Sequence, residues 1–118
     1  MKVYCKICGV ALTEHLILLK DYCLLKAEEE ESFIPKGHYL ISDGLFYTGS
    51  EGNVLVNIDD LVNVKEHTNK SRLNGCCGLD GSDGANTLCV NNHEVGTERS
   101  DCWMPWSMAF DEESVFMK

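Results

Sequence analysis

The sequence predicts one small domain over residues 1–118, mainly β with one or two short helices, a small α+β fold. Three observations predict it. The length, 118 residues, suits a single domain. Short apolar runs rich in Val, Ile, Tyr and Phe alternate with Gly, Asn and Asp turns, the pattern of strands. Residues 69–92 carry Gly, Asn, Asp and Ser throughout, and a compact domain tolerates so long an apolar-poor stretch when it is functional or crosslinked. Seven cysteines supply the means for a crosslink.

Taken in order, Lys2-Val3-Tyr4 reads as a strand leading into Cys5. In the segment "ALTEHLILLKDYCLLKAEEEE", Leu12, Leu16, Leu19 and Cys23 have helical spacing. Ile17, Leu18, Tyr22, Leu24 and Leu25 widen the apolar stripe so far that a pair of buried extended segments fits as well. Cys23, among leucines, is expected in the core. Glu28–Glu31 reads as a solvated turn or helix end. "GHYLIS" is a strand, and "LFYTGSEGNVLVNI" reads as a hairpin with a Gly-Ser-Glu-Gly turn. "DDLVNVKEH" is compatible with a short helix capped by Asp59. "HEVGTER" and "SMAF" are further strands, and Trp103 and Trp106 belong either to a β layer or to an interaction patch.

The formal charge is −9, and Arg72 and Arg99 are the only arginines. This balance argues against a nucleic-acid partner, whose phosphates require Lys and Arg, and against an anionic membrane surface. An acidic surface can attract a basic protein partner and speed its encounter, although most acidic surfaces serve solubility. Apolar runs such as Leu16–Leu19 fall far short of a membrane span. "MKVYCKICGV" lacks the apolar core of a signal peptide. An odd number of cysteines without such a leader points to a reducing, cytoplasmic setting, where clustered cysteines bind metal or do chemistry.

Cys5-Lys6-Ile7-Cys8-Gly9 is the most specific local motif. Two thiolates three positions apart can grip one tetrahedral ion, and glycine after the second permits the backbone bend. The unit resembles the knuckle of zinc-ribbon proteins over residues 5–9, which implies a zinc half-site. The ribbon pattern would repeat CxxCG later, and this chain does not. A redox CxxC is the competing reading, but Gly9 would weaken the helix such a motif begins, and no βαβ pattern surrounds it. A third reading is two unrelated buried cysteines.

The second half-site is expected in the glycine-rich stretch. Cys77-Gly78 repeats Cys8-Gly9, and Cys89 closes the loop, giving a zinc set of Cys5, Cys8, Cys77 and Cys89 with Cys76 as the alternative to Cys77. His93 has a spacing from Cys89 that could complete a site, though "HEVG" also reads as a strand start. Cys102 packs beside Trp103 or stands as a reserve ligand. His15, His38 and His67 are isolated. "DGSDGAN" fails the EF-hand series, with Ala85 at the required glycine and Asn91 at the bidentate glutamate. Arg99 is expected to pair with Asp101, Glu98, Asp80 or Asp83 and brace the loop.

Four thiolates would close the metal's coordination sphere and weaken it as a Lewis acid. The function expected is therefore a non-catalytic zinc-binding module whose acidic surface meets a protein. The alternative is a thiol-based or zinc-dependent enzyme using Cys76, with His67 or His93 as base, or an incompletely filled metal site.

Overall fold

The computed structural model describes residues 1–118. It is mainly β. Nine strands run β1 (Val3–Cys5), β2 (Ile17–Leu18), β3 (His38–Ile41), β4 (Val54–Val56), β5 (Val64–Glu66), β6 (Thr87–Cys89), β7 (Glu94–Arg99), β8 (Ser107–Phe110) and β9 (Val115–Met117). A seven-stranded sheet has the order β2-β3-β4-β8-β7-β6-β5, and β1 pairs with β9 in a small second sheet. All pairings are antiparallel except β2 with β3. No helix is long and apolar enough to cross a membrane.

The period of two in the central strands builds the core. Val54 and Val56 of β4 lie beside Phe110 and Met108 of β8, while Leu55 lies beside Ala109. Alternate residues point to opposite faces. Val54, Val56, Met108 and Phe110 therefore pack with Val3, Cys5, Leu12, Leu16, Cys89, Val95 and Val115 on one face. Leu55 and Ala109 meet Phe33 and Ile34 on the other. Each fully buried Leu, Ile or Phe contributes about 1.5–3 kcal/mol of transfer free energy. Cys5 and Cys89 belong to the larger cluster, so the chemistry described below starts from the core.

The helices expected from the sequence are reduced to single 3-10 turns at Tyr22–Leu24, Ile58–Asp60 and Lys70–Arg72. The "DDLVNVKEH" helix gives way to one turn and then β5. Its cap is Asn57, whose side chain accepts the Asp59 amide at 2.8 Å and donates to Ile34 O at 2.9 Å. The leucine-rich segment is extended: Leu12, Leu16 and Leu19 are buried, while Ile17 and Leu18 form the exposed sheet edge. Cys23 is exposed, not core. Asp21 accepts its amide at 3.0 Å and turns the chain outward. The expected hairpin within "LFYTGSEGNVLVNI" does not form: "LFYTG" is loop, and β4 pairs instead with β3, the "GHYLIS" strand. Ser50 Oγ fastens this loop, lying 2.7 Å from Ser42 Oγ and donating to Tyr47 O at 2.6 Å.

Candidate metal centre

Two turns converge on one point. The first follows β1: Gly9 N donates to Cys5 O at 2.8 Å and Cys5 N to Val10 O at 3.0 Å. Gly9 has φ +75°, a left-handed conformation that costs glycine little. The second turn joins β6 to β7: Cys89 N donates to His93 O at 2.8 Å and Asn92 N to Cys89 O at 2.9 Å. Asn92, at φ +70°, takes the left-handed position that Asn tolerates best among non-glycine residues.

These turns gather Cys5, Cys8, Cys89 and His93, with donor atoms all within 4.8 Å of one another. Cys8 Sγ and Cys89 Sγ are 3.8 Å apart. His93 Nδ1 is 3.6 Å from Cys5 Sγ and 3.4 Å from Cys89 Sγ. A tetrahedral ion with metal–sulfur bonds of about 2.3 Å and metal–nitrogen bonds of about 2.05 Å needs edges of roughly 3.8 Å and 3.6 Å. The Cys8–Cys89, Cys5–His93 and Cys89–His93 edges thus lie within about 0.2 Å of these values, and the other three edges are within 4.8 Å.

The two knuckle thiols have opposite electrostatics. Burial pushes the Cys5 thiol up. Cys8 is exposed, and its pKa falls from 9.0 to about 6, first through the Asn91 side-chain amide and then through the Val10 backbone N–H. Asn91 Nδ2 donates to Cys8 Sγ at 3.3 Å. Donors aimed at sulfur stabilise the thiolate, the form that binds metal.

The structure does not bring Cys77, or Cys76 in its stead, to this group. Both lie in a second group with Cys102, sulfurs again within 4.8 Å. The reason is Asp101, which is fully buried. Its carboxylate accepts the amides of Cys76 at 2.8 Å, Cys77 at 2.8 Å and Cys102 at 2.7 Å, together with Trp103 Nε1 at 2.9 Å. These donors, the Cys77 amide foremost, hold its carboxyl well below the usual carboxylate range. Gly78 runs so close to Ser100 that a Cβ there would collide with the Ser100 carbonyl. The Cys77 thiol pushes up that of Cys76, and Cys102 rises to about 12, again chiefly through Cys77.

The Arg99 brace is also corrected. Arg72 does that work: its Nη1 donates to Ala85 O at 2.9 Å and to Glu94 Oε2 at 3.3 Å, and Glu94 Oε2 also meets His67 Nε2 at 2.7 Å. Arg99 instead stacks over Tyr47, its guanidinium carbon 4.4 Å from the ring centre. Its Nη1 is buried without a hydrogen-bond partner. Arg99 lines a cleft of about 410 Å³ with Phe46, Tyr47, Trp103 and Met104. Trp103 is 58% exposed. The "DGSDGAN" oxygens serve turns: Asp80 accepts Ser82 N at 2.9 Å, and Asp83 accepts Asn74 Nδ2 at 2.9 Å.

Of the site residues read from the sequence, Cys5, Cys8 and Cys89 are brought together, and Cys76 and Cys77 are not brought to them. His93 stands at the fourth corner, where only its spacing from Cys89 pointed. The role of Asp101 in gathering this group had no local signal, because the Cys76 and Cys77 amides it binds are 25 and 24 residues away. Comparison with protein-family models, with curated proteins and with solved structures finds no match for this chain.

Proposed function

We propose that the protein is a non-catalytic, zinc-stabilised interaction module. The observation that carries this reading is the match between the Cys5–Cys8–Cys89–His93 edges and those of a tetrahedral zinc site. Three thiolates and one imidazole fill four positions and leave none for a reacting water, which favours a structural role. Zinc suits this mixture of sulfur and nitrogen donors better than oxygen-seeking calcium or magnesium.

The net charge of −9 supports a protein partner of basic overall charge. Its contact centre is the cleft of Phe46, Tyr47, Arg99 and Trp103, since Trp, Tyr and Arg dominate interface energetics. Arg99 stacks on Tyr47 in the wall of that cleft and gives it a cationic side. The enzyme reading built on Cys76 has weaker support. Cys77 raises the Cys76 thiol, His67 is bonded to Glu94, and His93 lies with Cys5 and Cys89.

Two measurements test the proposal. Elemental analysis of protein purified under reducing conditions should find one zinc per chain, lost in Cys5→Ser and His93→Ala. Photo-crosslinking from position 103 in cells should give a discrete adduct that Arg99→Ala abolishes. Protein without zinc refutes the first half, and an adduct indifferent to Arg99→Ala refutes the second.

A further inference from the structure

We infer that Cys76, Cys77 and Cys102 form a second metal site, separate from the tetrahedral one, that takes a soft three-coordinate cation, namely Cu(I). The site offers three sulfurs within 4.8 Å and no nitrogen or oxygen donor in the same group. Thiolate-only donors select soft ions. At a metal–sulfur distance of about 2.3 Å, a planar three-thiolate ion needs edges of roughly 4.0 Å, inside that limit.

The missing fourth ligand has a structural cause. Asp101 is the acid bonded to this turn, but both its oxygens are committed. Oδ1 accepts the Cys77 and Cys102 amides, and Oδ2 accepts the Cys76 amide and the Trp103 indole N–H. One carboxylate thus grips the backbone of all three thiol-bearing residues and holds their side chains in convergence. It acts as a positioning residue and does not touch the ion. Gly78 lets this turn lie flat against Ser100.

Accessibility separates this site from the first. In the first group Cys5 and Cys89 are buried and Cys8 is its one exposed thiol, whereas here Cys76 and Cys77 are exposed, Cys102 is half-exposed and none is buried. An incoming thiolate can therefore add to the bound Cu(I) before one Cys–copper bond breaks. The ion stays in the +1 state, and no oxidant or reductant is needed. The site is built for acquiring and passing on the ion, while the tetrahedral centre is built for retention. The inference stands whether or not the tetrahedral site proves to hold zinc.

The test uses the full chain, anaerobic and first supplied with one equivalent of zinc, titrated with Cu(I) against a chromophoric Cu(I) chelator. One equivalent of Cu(I) should bind with no zinc released. Cys76→Ser and Cys102→Ser should each lower Cu(I) affinity by at least ~100-fold, more than loss of a supporting residue costs, with zinc content unchanged. Asp101→Asn should lower it by about 10–100-fold. Cys23→Ser is the control for an exposed thiol and should change nothing. Cys76 is exposed, so an unchanged circular dichroism spectrum for Cys76→Ser would certify its fold. X-ray absorption at the copper edge should show sulfur neighbours only. Release of zinc in step with copper uptake, or Cu(I) affinity unaltered in Cys76→Ser, would overturn the inference. So would nitrogen or oxygen neighbours at the copper, or a second zinc bound there more tightly than Cu(I).

Discussion

If the Cys5–Cys8–Cys89–His93 group holds zinc as proposed, replacing Cys89 by serine removes one corner and breaks the crosslink between the first turn and the β6–β7 turn. The magnitude follows from chain length. Cys8 and Cys89 are 81 residues apart. A crosslink closing a loop of that size removes about 4.5 kcal/mol of unfolded-chain entropy. A domain of this size has roughly 5–15 kcal/mol of stability, so the loss is a large share of it. For a chain of this length the melting temperature should fall by on the order of 15–20 °C. Cys23→Ser, on an exposed turn, should shift it by no more than ~2 °C. Thermal unfolding followed by circular dichroism, with and without a chelator, is the assay. The chelator should lower the wild-type melting temperature nearly to that of Cys89→Ser and leave Cys89→Ser unmoved. Equal melting temperatures for Cys89→Ser and Cys23→Ser, or indifference of the wild type to the chelator, would refute the crosslink.

Cys77→Ser should leave the metal content of the tetrahedral centre unchanged while His93→Ala empties it, and elemental analysis of the two variants decides between the corners. In metal-free protein, Cys8 should react with iodoacetamide at a rate half-maximal near pH 6 instead of near 9.0. Its pKa is lowered on folding, so its thiolate contributes fully to stability above pH 9.0, and that contribution is lost as pH falls through about 6. Asp101 is likewise lowered, so its contribution is present above 3.8 and persists until pH falls through its much lower folded value. Trp103 fluorescence should accordingly show no transition near pH 4 (approximately its ordinary value), and Asp101→Asn should shift the emission at every pH.

Much of the β architecture was legible. Lys2–Tyr4, "GHYLIS", "HEVGTER" and "SMAF" announce strands through β-branched and apolar runs, and Val54-Leu55-Val56 is buried on both faces as a central strand should be. Of the two readings of Leu12–Leu19 the extended one holds, because burial at 12, 16 and 19 arises from an extended segment at the sheet edge, where tertiary contact and not helical period decides which side chain turns in. Cys5, Cys8 and Cys89 were legible as a group from turn chemistry. The fourth corner was not, because Cys77-Gly78 imitates Cys8-Gly9 for a different reason. Gly9 relieves a left-handed bend, whereas Gly78 makes room for the Ser100 carbonyl. Nothing adjacent in sequence distinguishes the two glycines.

The Cys5–Cys8–Cys89–His93 group joins the end of β1 and the turn after it to the end of β6 and the turn before β7, so an ion held there, as proposed, would span both sheets. That placement makes it a coupler of cooperative units. With the ion in place, opening the small sheet requires opening the hairpin as well, and the two should exchange amide hydrogens with one common opening free energy. Without it, the β1–β9 pair, only three residues on each side, is free to open alone. The amides that span that pair would then exchange ahead of those in β4 and β8, and the protein would unfold in two stages where the metal-bound form unfolds in one.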